Sequence, residues 1–167
     1  MRNITYIKTL ILALAMAIPL QAQSGPAQSC YARDYSAKHL AGQPKQVVDR
    51  INILFSEVGD DLFATMSVLT ANQGHVRKSG NGGQWFKQYL LCYQNNNTKS
   101  GWSCDVDCNG GTMAITRNDG KILEFRTNFL LIGGAEACGG PVDLAEVKGT
   151  PVTYRLYRVA DSECGAK

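Results

Sequence analysis

Residues 112–132 read "TMAITRNDGKILEFRTNFLLI". Two alternating apolar runs flank the triplet Asn118-Asp119-Gly120. Alternation with a period of two is the mark of a strand with one buried face. Glycine and asparagine supply the positive φ that a tight reversal needs, and the triplet between alternating apolar runs is a strong signal for a β-hairpin.

Reading outward, the same grammar repeats. Upstream lie "KQVVDRINILF" (45–55), the acidic turn "EVGDD" (57–61), "DLFATMSVLTA" (61–71), the turn "GNGG" (80–83) and "QWFKQYLLCYQ" (84–94). The connection "NNNTKSG" (95–101), "WSCDVDC" (102–108) and the turn "NGG" (109–111) then lead into the hairpin. Downstream, the Gly-rich "GGAEACGGP" (133–141) runs through a helical turn expected at "VDLAEVK" (142–148) to a last strand, "PVTYRLYRVA" (151–160). Near the start, "DYSAKHLAGQP" (34–44) suits one short helix, with Asp34 or Ser36 as N-cap, Leu40 inward, and Gly42 and Pro44 ending it. About eight short strands with turn residues between them predict an all-β, mainly antiparallel fold: one compact barrel or sandwich behind one short N-terminal helix.

The chain opens with Arg2 and Lys8, an apolar run from Thr9 to Ile18, and small residues up to Ala22. That order reads as a secretory signal peptide over residues 1–22. The run is shorter than the roughly 20 residues of a membrane span, so the mature protein is expected to be periplasmic or secreted and not membrane-spanning. Residues 23–29 form a small, polar lead-in, and 30–167 a single domain. Removing the first 22 of 167 residues leaves 145, enough for one core. The chain has 17 basic and 14 acidic side chains; losing Arg2 and Lys8 leaves 15 against 14. Such a balance lacks the concentrated positive charge that neutralises phosphates, which argues against nucleic acid as a partner.

Six cysteines, Cys30, Cys92, Cys104, Cys108, Cys138 and Cys164, in an exported chain of this size predict three disulfides. Pairing stays open among about fifteen arrangements. The stretch "CDVDCNGG" (104–111) narrows it. As a strand, "WSCDVDC" puts Trp102, Cys104, Val106 and Cys108 on the inward face and Ser103, Asp105 and Asp107 on the other. Four extended residues span about 13 Å, beyond the roughly 7 Å between Cα atoms that a disulfide tolerates. Cys104 and Cys108 are therefore expected to take different partners, with Cys92 natural for one and Cys138 or Cys30 for the other. Cys30 and Cys164 are placed to tie the termini to the body.

The same stretch admits calcium as a cofactor. Asp105, Asp107 and Asn109, followed by Gly110, match the opening oxygen ligands and turn glycine of an EF-hand loop. The twelfth loop position is Thr116 where a glutamate is required, and strands flank the motif, so an EF-hand is excluded. What remains is a calcium site of another shape or, more simply, the solvated face of a hairpin strand.

Histidine chemistry has two candidates. His39 lies among Arg33, Asp34, Tyr35 and Ser36, residue types that suit an acid/base group, and His75 lies beside Arg77 and Lys78. Glu57, Asp60, Asp61 and Glu124 are carboxylates that folding would have to pair for hydrolysis. No GxSxG, HExxH, P-loop or dinucleotide motif occurs, which argues against an enzyme. Trp85, Phe86, Tyr89 and Tyr93 share one strand; alternation sets Phe86 opposite the other three, with core packing expected on at least one face.

"CYARDYSAKHLAGQPKQVV", "CDVDCNGG" and "RLYRVADSEC" together resemble an uncharacterised group of small exported bacterial proteins with a six-cysteine framework. The resemblance implies structural cysteines and carries over no catalytic residue.

These features point to an exported, non-enzymatic binding domain acting through loops at Asn95–Ser100 and Gly133–Gly140 on a disulfide-stiffened scaffold. Its expected partner is an envelope or extracellular protein, such as a hydrolase, or a glycan. The alternatives are a small hydrolase using His39 with an acidic partner, and a calcium-stabilised domain.

Overall fold

The computed structural model describes residue 26 and residues 28–134 and 138–165. The leader expected at 1–22 and most of the lead-in at 23–29 lie outside the described residues. Eight strands close into a barrel: β1 (Cys30–Asp34), β2 (Val48–Val58), β3 (Asp61–Thr70), β4 (Trp85–Gln94), β5 (Trp102–Asp105), β6 (Thr112–Asn118), β7 (Ile122–Thr127) and, after a small two-stranded ribbon, β10 (Val152–Arg158). The ribbon pairs β8 (Leu131–Ile132) with β9 (Val142–Asp143). Each barrel strand runs antiparallel to its neighbours in chain order, and β1 closes the ring between β2 and β10. The fold is thus an up-and-down barrel and not a sandwich. Closure leaves no barrel edge unpaired.

Period-two alternation fills the interior. Tyr31, Ile51, Ile53, Phe55, Met66, Leu90, Met113, Ile115, Phe125 and Tyr154 are each at most 1% exposed. An eight-stranded barrel is just wide enough for such side chains to meet, so this one encloses a packed core. Polar tips inside it find partners: the Tyr154 hydroxyl donates to Leu144 O at 2.8 Å and that of Tyr31 to Asn118 Oδ1 at 3.1 Å. The 118–120 turn forms, with Gly120 at φ +78°, while Asn118 and Asp119 stay out of the positive-φ region and accept from Gly120 N, Lys121 N and Ile122 N through their side chains.

Three disulfides staple the barrel. Cys30–Cys164 joins β1 to the terminal helical turn α3 (Ser162–Gly165), Cys92–Cys104 bridges β4 and β5 inside the core, and Cys108–Cys138 pins the β5–β6 turn to the segment between β8 and β9.

Several local expectations are corrected. A strand, β1, precedes the first helix; α1 spans Ala37–Gly42, Ser36 is its N-cap, and Leu40 is only half-buried. A second short helix, α2 (Gly74–Lys78), which the sequence pattern did not indicate, precedes the 80–83 turn and is anchored by buried Val76. "VDLAEVK" begins as β9 and continues without helix. β5 stops at Asp105, so Cys108 is not on an inward strand face: it is exposed in a turn at φ +54°, followed by Asn109 at φ +63°. Glycine is needed next. A Cβ on Gly110 would meet Val106 Cγ1 at 2.3 Å, and one on Gly111, at φ +102°, would meet Phe129 O at 2.1 Å.

Candidate binding face on strand β4

β4 carries apolar residues on both sides. Phe86, Gln88, Leu90 and Cys92 point inward, matched in register to Val68, Met66, Ala64 and Leu62 of β3. Trp85, Lys87, Tyr89, Leu91 and Tyr93 therefore point outward. Trp85, Tyr89, Leu91 and Tyr93 are 37%, 38%, 48% and 40% exposed. Scattered apolar residues on a surface need no explanation, but four from one strand face, interrupted only by Lys87, form a row.

Beside the patch lies a cleft of about 840 Å³, walled by Phe63 of β3, Tyr89 and Leu91 of β4, and Asp105, Val106 and Asp107 at the end of β5. Its geometry follows from register: Leu91 sits directly opposite Phe63 on one side and Asp105 on the other. The Tyr93 hydroxyl donates to Asp105 Oδ2 at 3.0 Å, while Asp105 Oδ1 is enclosed without a donor. Burial, and then the Asp105 carboxylate, raise the Tyr93 pKa above its ordinary 10.0. The Lys87 ammonium lies 5.3 Å from the Tyr89 ring centroid. Asp107 turns back on its own loop, accepting from Cys108 N at 2.7 Å, and the Cys108–Cys138 bond holds that loop in place.

The diametrically opposite face, four strands round the ring on β10, is built differently. There Arg33 is sandwiched between the rings of Tyr35 and Tyr157, at 5.1 and 5.2 Å, and Arg155 pairs with Glu124. These two cations are matched by rings and by a carboxylate, whereas on β4 a ring meets Lys87 and the Asp105 carboxylate meets a hydroxyl.

The other candidate residues divide clearly. Asp105, Asp107 and Asn109 line one cleft, where Asp105 is engaged by Tyr93 and Asp107 by its own turn. Among the described residues no group of three or more His, Cys, Asp or Glu gathers to hold a metal ion. Glu57, Asp60 and Asp61 sit at the β2–β3 turn, while Glu124 is on β7, across the ring from β3. They are not brought together.

His39 is exposed, stacked 4.9 Å from Tyr35, with Nε2 2.8 Å from Gln46 Oε1. Gln46 donates its amide to Val48 O, which fixes Oε1 as the acceptor and Nε2 of His39 as the protonated nitrogen. The acidic neighbour of His39 is Glu146, whose pKa is raised by burial and drawn back down by the imidazole. His75 donates Nε2–H to Ala145 O at 3.1 Å and, with Lys45, Arg77, Lys78 and Glu146, lines a second cleft of about 820 Å³. Every cysteine is in a disulfide, so no thiol nucleophile accompanies either histidine.

The aromatic face escaped sequence reasoning in part. Alternation grouped Trp85, Tyr89 and Tyr93 correctly but did not say which side was out. The signal that decides it is Cys92, whose parity matches Phe86 and Leu90; a cysteine bonded across to β5 inside the ring places the other set on the surface.

No protein-family model, no curated protein and no solved structure matches the chain, so a functional reading stands on this surface alone.

Proposed function

We propose that the protein is an exported, non-enzymatic binding domain that engages its partner through the outer face of β4 and the adjoining cleft. The observation that carries this reading is the outward row Trp85, Tyr89, Leu91 and Tyr93, each more than a third exposed on one rigid strand. Tyrosine and tryptophan on a stiff scaffold give large contact area at small entropic cost. Three disulfides and the lack of any described helix long and apolar enough to cross a membrane agree with a place outside the cytoplasm, periplasmic or secreted.

The Asn95–Ser100 loop is a poorer binding element than its composition suggests. Asn95 N bonds to Gly101 O at 2.7 Å, Thr98 Oγ1 donates to Asn95 O and Trp102 O, and the Asn95 amide donates to Ser103 Oγ. Asn95 and Thr98 are spent on the loop's own closure, while the side chains of Asn96, Asn97 and Lys99 stay exposed. The segment after β8 contributes instead by holding the cleft floor, with Gly134 N donating to Gln88 Oε1 and Cys138 bonded to Cys108.

The test is a photo-crosslinking amino acid placed at Leu91 and, separately, at Thr153 on the opposite face of the exported protein. The expected result is a discrete adduct from position 91 and none from 153. Equal labelling at both positions, or none at 91, would sink the reading.

A further inference from the structure

We infer that the cleft between Tyr89 and the 105–109 turn takes a cationic side chain, arginine or lysine, presented by a partner protein; this rests on the β4 face being the binding surface. Charge complementarity carries the inference. The exported chain is nearly balanced, with 15 basic against 14 acidic groups once Arg2 and Lys8 are removed, yet both charged side chains lining this cleft, Asp105 and Asp107, are carboxylates. Phe63, Leu91 and Val106 wall the same space with apolar surface. Such walls lower the local dielectric and strengthen any ion pair formed between them.

Tyr89 adds the second element of cation recognition. Its ring already attracts one ammonium, that of Lys87 at 5.3 Å, so the electron-rich face is presented where a positive charge can reach it. A guanidinium has the matching shape: planar enough to lie on the ring, and forked so that its edge donates to a carboxylate. Asp107 offers the open acceptor, since it is exposed and only its Oδ1 meets a donor, whereas the unpaired Oδ1 of Asp105 is enclosed. The aliphatic part of an arginine or lysine side chain would cover Leu91, which is 48% exposed. Lys87, by contrast, would repel the incoming cation and compete for Tyr89.

This gives an experiment with a sign. Backbone amide resonances of Tyr89, Leu91 and Asp105–Asn109 are followed by NMR in the full disulfide-bonded protein during titration with acetyl-Leu-Arg-amide, acetyl-Leu-Glu-amide and chitohexaose. The arginine peptide is expected to move them and the glutamate peptide not. The double substitution Asp105→Asn, Asp107→Asn leaves one acceptor oxygen at each position, enough for the bonds from Tyr93 and Cys108 N, while removing the charge, and is expected to weaken the arginine peptide about five-fold. Lys87→Met is expected to tighten it about two-fold. Unchanged affinity in the double variant, equal binding of the glutamate peptide, or shifts caused by chitohexaose but not by arginine would overturn the inference. If the arginine peptide moves nothing while position 91 still crosslinks a partner, the cation inference falls and the binding face stands. If position 91 does not crosslink, the face reading falls and takes this inference with it.

Discussion

Cys92 and Cys104 face each other directly across β4 and β5, their Cα atoms 3.9 Å apart, and the bond between them lies inside the barrel. β5 is only four residues long, so this bond ties a very short strand to its neighbour. The three disulfides close loops of very different length, with sequence separations of 12, 30 and 134 residues. On the loop-entropy account their removal costs about 3, 4 and 5 kcal/mol respectively. Pairwise replacement by alanine should therefore destabilise in the order Cys92/Cys104, Cys108/Cys138, Cys30/Cys164, read from denaturant midpoints. A largest loss from the Cys92/Cys104 pair would mean that packing of its buried sulfurs outweighs chain entropy.

Asp119 makes the β6–β7 hairpin sensitive to acid. Its carboxylate accepts from Ile122 N at 2.8 Å and Lys121 N at 3.0 Å, and pairs with Arg117. Those bonds, the two backbone donors first, lower its pKa from 3.8 to about 2. Because the folded value lies below the unfolded one, the contribution is fully present above pH 3.8 and is lost as pH falls through about 2. Asp119→Asn should flatten the melting temperature against pH between those limits and leave the neutral-pH fold intact. An unchanged acid slope in the variant would assign the sensitivity to other carboxylates.

That hairpin was also the most legible part of the fold, because Gly120 takes the positive φ while Asn118 and Asp119 accept the turn's own backbone N–H groups, roles that map onto those residue types. Barrel closure was not legible. β1 buries Cys30, Tyr31 and Ala32 in succession, so it has no two-residue period to betray it, and the strand beside it in the ring lies at the far end of the chain. α2 has one buried residue in a single turn, too little for a helical period. In "WSCDVDC" the alternation runs on to Cys108, while the left-handed backbone of Cys108 and Asn109 ends the strand earlier. The distinct partners of Cys104 and Cys108 hold in either geometry. The outward side of β4 was hidden for a different reason: the strand is apolar on both sides, and pattern alone does not distinguish the core side from the exposed one.

Glu146 should act on stability in the opposite sense to Asp119. Burial raises its pKa above the ordinary 4.5, partly offset by His39. A carboxyl whose folded pKa is raised contributes stability below its unfolded pKa that is lost as pH rises through the folded value. Glu146→Gln should therefore raise the melting temperature at neutral pH and leave it unchanged well below pH 4.5. His39→Gln should move the midpoint of that effect to higher pH by removing the attracting charge. Loss of stability in Glu146→Gln at neutral pH would show that the carboxylate is held by bonds that outweigh its burial.

Leu90 and Leu91 are adjacent, chemically identical, and point to opposite sides of β4, which makes them the sharpest internal comparison. Leu90 is 1% exposed in the barrel core; Leu91 is 48% exposed beside the cleft. Leu90→Ala leaves a cavity and should cost about 2–5 kcal/mol. Leu91→Ala should change stability by no more than about 0.5 kcal/mol, because the folded protein gains little from an apolar group left in water. If the outer face exists to be covered, Leu91→Ala must nonetheless reduce crosslinking from a probe placed at Tyr93, while Leu90→Ala, measured below its melting temperature, must not. A stability loss at Leu91 as large as that at Leu90 would mean that the patch is held by the fold itself. The case for a binding surface would then fail on thermodynamic grounds before any partner was sought.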